Sequence, residues 1–122
     1  MTDKTRRDNV GKLIMRAAPW DAIIAMVEVF HDATTREDNP YPLNNWALGG
    51  RDWTEFLDNP MRHVFLFQAG QDLDSKSGKP HLAHAMAGLA ILLHYQLNGK
   101  GVDDRVLYDP ETVGRMIYPE SK

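Results

Sequence analysis

The sequence predicts an all-α fold, a small bundle of about four helices with a long irregular loop and a polar C-terminal tail. Three observations favour this class. Apolar residues recur at spacings of three and four in two long stretches, a third stretch is apolar nearly all round, and no convincing β alternation is present. The length of 122 residues suits a single domain, in which we expect a helical core at 18–105 and a tail at 106–122.

The first predicted helix begins near Pro19, because proline suits a first helical position and the apolar residues that follow keep helical spacing. Those apolar residues are Trp20, Ile23, Ile24, Val27 and Phe30. The polar side of this helix carries Asp21, Glu28 and Asp32. The segment 34–50 then contains two prolines, three asparagines and a Gly-Gly pair, which predict a long loop.

The second predicted helix runs over 52–68. Pro60 lies inside it, and an interior proline removes a backbone donor and clashes with the preceding turn. We therefore expect either a kink or a break with a new start near Asn59. The residues that follow, 70–79, are polar and predict a tight loop that carries Asp72 and Asp74.

The third predicted helix is the clearest, because it lies between Pro80 at its start and Gly99 at the position that a helix C-terminus prefers. It is apolar nearly all round, so it should lie at the centre of the fold or in an oligomer interface. A short terminal helix is expected to begin at Asp109-Pro110-Glu111.

Composition excludes several classes of function. A net charge of −3 provides no basic face for duplex nucleic acid, and no apolar stretch approaches the length of a membrane span. The charged segment 1–12 lacks the apolar region of a secretory signal, so we expect a cytoplasmic protein. Without cysteine, any metal must be held by histidine and carboxylate. The sequence also lacks serine-hydrolase, phosphate-loop and HExxH motifs.

His81 and His84 are the strongest candidates for a functional site. They stand three residues apart on the third helix, so both side chains emerge on one helical face and can point at one object. Imidazole pairs with such spacing are familiar metal ligands, although two polar residues can equally begin a helix with a solvated first turn. The acidic loop before the pair, and His63 on the preceding helix, favour the metal site.

Other candidates each have a structural alternative. Glu28 lies among apolar neighbours, so it either faces the core with a partner or a metal, or shares an exposed stripe of its helix. Of Asp72 and Asp74, one can bind a divalent metal or orient a histidine while the other caps the turn. Arg62 can contact phosphate or lie on the surface as an ion pair. Trp46, like Trp53, can stack on a base or pack in the core.

Three segments together resemble a known family. They are NNW at 44–46, RH at 62–63 and AGQDLDSKSGKPHLAHAMAGLAILL at 69–93. The chain resembles the phage-associated dATP/dGTP diphosphohydrolase family, an all-α group related to the MazG-like nucleotide pyrophosphohydrolases, over about residues 20–105. The segment before Asn45 departs from the family pattern, because it lacks a lysine found there in family members.

The resemblance implies metal-dependent hydrolysis of purine deoxynucleoside triphosphates to monophosphate and pyrophosphate, which would adjust the host nucleotide pool during phage infection. His81 and His84 occupy the place of an acidic ExxD pair in MazG-like relatives. The implied catalytic residues are His63, Asp72 and Glu28, the substrate-binding residues are Arg62, Asn45 and Trp46, and the metal ligands are His81, His84, Glu28 and Asp74. Mg²⁺ or Mn²⁺ is expected, with Co²⁺ or Zn²⁺ as alternatives because histidine favours them.

We expect a homo-oligomer, because a bundle of this size leaves the central helix incompletely covered. Three other functions stay open: a non-catalytic protein that sequesters a nucleotide, a structural phage protein, and a phosphohydrolase of the His-Asp type. The last has only the pair His31-Asp32, which lies far along the chain from the other candidates.

Overall fold

The computed structural model describes residues 10–120, and over that range the chain forms four α-helices and no β-strand. The helices are α1 (Trp20–Thr35), α2 (Glu55–Gln68), α3 (His81–Asn98) and α4 (Pro110–Ile117), with 3-10 turns at Met15–Ala17 and Asn45–Ala47. The predicted all-α class is confirmed. Residues 1–9, on which the expected absence of a secretory signal depends, lie outside the described residues. None of the described helices is long and apolar enough to cross a membrane.

Helix α3 lies at the centre of the bundle, as its composition predicts, and packs against both α1 and α2. Small side chains on its buried side allow the neighbouring helices to approach closely; Ala83, Ala85 and Ala87 are each 5% exposed or less. The helix ends at Gly99, whose φ of 62° is the left-handed conformation that glycine adopts without steric cost.

Pro60 does not break α2, contrary to one of the two outcomes that the sequence predicts. The helix continues from Glu55 to Gln68 with the proline in its interior. Pro60 is buried against Gly88 of α3, where a Cβ on the glycine would lie 2.6 Å from Pro60 Cγ. The absence of a side chain at Gly88 therefore makes room for the proline ring, and packing against α3 offsets the cost of the lost backbone hydrogen bond.

The start of α2 differs from the prediction by three residues. Asp52 forms an isolated bridge with Val102, and the Trp53 amide donates to the Val102 carbonyl at 2.9 Å. The Trp53 indole also donates to the carbonyl of Lys100 at 2.8 Å. These pairings tie 52–53 to the segment after α3, and the chain turns at 53–54 before the helix begins at Glu55.

The other predicted boundaries agree with the structure. Pro19 immediately precedes α1, and the predicted loop follows this helix as an irregular segment interrupted by one 3-10 turn. The Lys100 ammonium donates to the carbonyl of Ala47 at 2.8 Å, which ties this loop to the segment after α3. Helix α4 begins at Pro110, as predicted.

Candidate functional site

The polar loop 70–79 folds back onto the start of α3. The Asp74 amide donates to the Lys79 carbonyl at 2.8 Å, and the Gly78 amide donates to the Asp74 carbonyl at 2.8 Å. The backbone carbonyl of Asp72 accepts from the His81 amide at 3.0 Å. These bonds close the loop tightly, so its side chains stand beside the first turn of α3.

His63 on α2 and His81 on α3 form the buried centre of the site. His81 is fully buried, and His63 is 9% exposed. Their Nδ1 atoms lie 2.8 Å apart, while His81 Nε2 lies 2.6 Å from the amide oxygen of Gln71. Because that oxygen accepts a hydrogen bond, His81 carries its hydrogen on Nε2 and has a lone pair on Nδ1. In the absence of a metal ion, Nδ1 of His63 therefore donates to Nδ1 of His81.

His84 contacts the face of the His63 ring. Its ring stacks on that of His63 with centroids 4.5 Å apart and an interplanar angle of 8°. His84 Nε2 is 2.7 Å from the Ser77 hydroxyl and 4.0 Å from Asp74 Oδ2. Ser77 Oγ also accepts from the backbone amide of Lys79 at 3.1 Å, and this bond fixes the hydroxyl beside the imidazole.

Burial lowers the pKa of His63 and of His84 below the usual 6.5. The neighbouring imidazoles lower the pKa of His63 further, and the Asp74 carboxylate opposes the effect at His84. The pKa of Asp74 is lowered chiefly by the hydrogen bond that it accepts from the Ser77 amide at 2.9 Å. At neutral pH His63 and His84 are therefore neutral and Asp74 is ionised, and these are the protonation states that bind a metal ion.

Three of these side chains fit a divalent metal. One ligand atom from each of His63, Asp74 and His81 lies within 4.8 Å of the other two. Two nitrogens bound at about 2.1 Å and at a right angle would be about 3 Å apart, close to the observed separation of the two Nδ1 atoms. The hydrogen bond from His81 to Gln71 is the outer contact that metal-bound histidines usually make.

A family model described as "dATP/dGTP diphosphohydrolase, N-terminal" matches residues 2–105. The chain belongs to this family. The predicted family is thus confirmed, and it is a family of hydrolases. No curated protein and no solved structure matches the chain. The matched region of this dATP/dGTP diphosphohydrolase family member contains every candidate residue of the cluster around His63.

The structure brings together some of the predicted site residues of this family member but not all of them. His63, Asp74, His81 and His84 lie together. Glu28 is outside the three-ligand cluster: its side chain is 56% exposed, and its carboxylate lies 3.9 Å from the Lys79 ammonium. Of the two positions that the sequence allows for Glu28, the structure has the second, on an exposed stripe of its helix.

The remaining predicted residues lie around the cluster or further away. Asp72 is exposed and contributes its backbone carbonyl to the first turn of α3. Arg62 is exposed on α2 beside His63. Asn45 and Trp46 begin a 3-10 turn, and Trp46 packs edge to face against His94 with centroids 4.9 Å apart.

Sequence reasoning missed Gln71, Ser77 and Lys79 as parts of the site. All three lie in the polar loop directly before the histidine pair, and the shortness of that loop is a signal that its side chains adjoin the helix start. His94 was also missed, since a single histidine on an apolar helix has no distinguishing pattern.

Proposed function

We propose that this protein hydrolyses dATP and dGTP to monophosphate and pyrophosphate, with a divalent metal ion bound by His63, Asp74 and His81. Membership of the dATP/dGTP diphosphohydrolase family supports the substrate class. The observation that carries the proposal for the site is the convergence of two buried imidazoles and one carboxylate within 4.8 Å.

Neighbouring groups hold these ligands in the tautomer and charge state that bind a metal ion. Gln71 fixes the tautomer of His81 so that its Nδ1 lone pair faces the cluster. The Ser77 amide holds the Asp74 carboxylate in its ionised form. When bound, a divalent ion at this position would neutralise phosphate charge and lower the pKa of a water molecule.

His84 is the best placed residue to accept a proton from the attacking water. Burial keeps its imidazole neutral at neutral pH, and its side chain is still 18% exposed. Its Nε2 atom lies on the same side as the Asp74 carboxylate, where a water near the metal would be within reach. The sequence favours His63 for catalysis and His84 for the metal; the geometry supports the reverse assignment.

Lys79 can supply a positive charge for the phosphates. Its ammonium lies 3.9 Å from Glu28, its side chain is 30% exposed, and its backbone amide contacts Ser77. It therefore stands at the rim of the cluster and is not committed to a close ion pair. A cation here would replace the lysine that the segment before Asn45 lacks.

The ligand types also bear on the choice of metal. Imidazole suits Mn²⁺, Co²⁺ and Zn²⁺ better than Mg²⁺, which prefers oxygen ligands and keeps several waters. A site with two imidazoles and one carboxylate is therefore expected to work best with Mn²⁺ or Co²⁺.

The direct test incubates the full chain with each of the four deoxynucleoside triphosphates and Mn²⁺ or Mg²⁺, and resolves monophosphate from diphosphate products. The proposal expects dAMP, dGMP and pyrophosphate, with turnover lost in Asp74→Asn and kept in the matched surface variant Asp72→Asn. Tight nucleotide binding without products would instead support a nucleotide-sequestering protein. If the protein neither binds nor hydrolyses these nucleotides, a structural role would remain.

The chain is also proposed to form a homo-oligomer. Leu89, Leu93 and Leu97 follow one another at four-residue intervals on α3 and are 46%, 52% and 75% exposed. A row of exposed leucines along the central helix would be covered by a second copy. Sedimentation of the wild type and of Leu93→Glu tests this, since the proposal expects the variant to dissociate.

The domain division, the biological role and the cellular location are also proposed. We infer a single domain, with a core at 18–105 and a tail at 106–122; the end of the family match at residue 105 supports this division. The role in adjusting the host nucleotide pool during phage infection, in the host cytoplasm, is supported by the resemblance alone.

A further inference from the structure

His94 on α3 has a buried hydrogen-bond donor for which the described residues provide no acceptor. The side-chain amide of Asn98 donates to His94 Nδ1 at 3.2 Å and to the His94 carbonyl at 2.9 Å. Because Nδ1 is the acceptor, Nε2 carries the hydrogen. Nε2 is buried, and no atom of the described residues forms a hydrogen bond with it. Buried donors are nearly always paired, so this atom indicates a partner from outside the described residues.

His94 lies at one end of an apolar groove between α1 and α3. The groove has a volume of about 390 Å³, within the range of small-molecule sites. Its walls include Val27, Phe30 and Ile91, and the Trp46 ring stands edge to face with His94. The groove therefore combines apolar walls, an aromatic ring and, close behind its surface, a histidine ring nitrogen unpaired among the described residues, which are features that suit a flat heterocycle.

The groove lies at a suitable distance from the proposed phosphate site. Its nearest α3 residues, Ala90 and Ile91, follow His84 by six and seven positions, or about 9 to 11 Å along the helix axis. A nucleotide with its phosphates at the His63 cluster would extend along α3 and place its base in the groove.

We propose that this groove binds the purine base of the substrate, with His94 Nε2 donating to N7 of the base and Trp46 contributing an aromatic face. The inference rests on the proposed function. N7 is an acceptor in both adenine and guanine and is absent from pyrimidines. One donor directed at N7 would therefore admit both purines and select against both pyrimidines. Because Nε2 is buried, the neighbouring Trp46 ring, whose centroid lies 4.9 Å from that of His94, would have to shift for a base to reach this atom.

The test compares each substrate with its 7-deaza analogue, in which a C–H group replaces N7. For the wild type, we expect kcat/KM to fall at least about tenfold from dATP to 7-deaza-dATP and from dGTP to 7-deaza-dGTP, as the loss of one buried hydrogen bond implies. Titration calorimetry with dAMP and 7-deaza-dAMP measures binding without turnover, and the two dissociation constants should differ by the same factor.

Variants at His94 provide the second measurement. His94→Phe keeps a ring but has no donor, so it should lower kcat/KM for dATP to the 7-deaza level without further loss for the analogue. His94→Gln retains an N–H and should restore part of the difference, while the exposed-site control His31→Phe should behave as wild type. Equal kcat/KM for dATP and 7-deaza-dATP in the wild type would overturn the base site alone. Failure to hydrolyse either purine triphosphate would overturn the proposed function and this inference with it.

Discussion

Nδ1 of His63 lies 2.8 Å from Nδ1 of His81, at the junction of α2 and α3. Two lone pairs cannot face each other at this distance, so either a hydrogen or a cation must lie between the nitrogens. The pair is therefore compatible with two states: a hydrogen-bonded imidazole pair without metal and, under the proposed function, a pair of metal ligands. Asp74 lies close enough to provide the third ligand of the second state.

Removal of His81 should destabilise the protein even without metal. His81→Ala leaves His63 Nδ1 and the Gln71 amide oxygen without their partner, and an unsatisfied buried polar group costs about 1–3 kcal/mol. Urea unfolding in the presence of a chelator measures this change. The exposed control His31→Ala should lie within about 0.5 kcal/mol of wild type. Equal midpoints for the two variants would show that the imidazole pair contributes nothing to folding.

The contact between Gly88 and Pro60 predicts a second stability effect. Alanine at position 88 would collide with the proline ring, and overpacking costs about 1–3 kcal/mol against a gain in helix propensity of about 1 kcal/mol. We therefore expect Gly88→Ala to lower the thermal midpoint. Gly114→Ala in α4 is the matched control, because its Cβ would meet no atom within 4 Å, and it should have no cost. Adding Pro60→Ala to Gly88→Ala should recover part of the loss; an additive double variant would exclude the contact as the cause.

Stability without metal should decrease in mild acid. The folded-state pKa values of His63 and His84 are below 6.5, so above that pH both residues are neutral in the folded and unfolded states. As the pH falls through about 6.5, the unfolded chain binds protons first and the free energy of unfolding declines. The lowered pKa of Asp74 adds a further loss only well below this range, when its carboxylate protonates.

Urea unfolding between about pH 7.5 and about pH 5, with chelator present, measures this slope. The double variant His63→Gln/His84→Gln should show a shallower slope, because glutamine does not titrate. A wild-type free energy of unfolding that stays constant over this range would contradict the lowered pKa values.

Lys79 and Lys76 provide a matched pair for the proposed phosphate contact. Both lie in the loop before α3, but the Lys79 ammonium lies 3.9 Å from the Glu28 carboxylate and its side chain is 30% exposed, whereas Lys76 is exposed. Lys79→Met should raise KM for dATP about fivefold to thirtyfold, as expected for a charged hydrogen bond of about 1–2 kcal/mol. Steady-state kinetics should show no such change for Lys76→Met. An equal rise in KM for the two variants would show that it comes from the loss of one positive charge and not from a specific contact of Lys79.

The sequence predicts the fold more fully than the site. Apolar periodicity and the prolines at positions 19 and 80 locate the helices, because these signals are local. The start of α2 is different: the pairing of Asp52 with Val102 joins residues fifty positions apart, and no local pattern encodes it. Helical spacing similarly places His81 and His84 on one face, but only tertiary packing brings His63 into contact with both rings and leaves Glu28 at the surface.

The proposed metal site is tested most directly by a Mn²⁺ binding isotherm from titration calorimetry. The wild type should bind Mn²⁺, and both Asp74→Asn and His81→Gln should weaken this binding by at least about tenfold, since even contacts outside the ligand shell cost 10–100-fold. The controls Asp72→Asn and Glu28→Gln remove carboxylates outside the cluster and should leave the isotherm near wild type. Unchanged Mn²⁺ binding in Asp74→Asn and His81→Gln would contradict the proposed site.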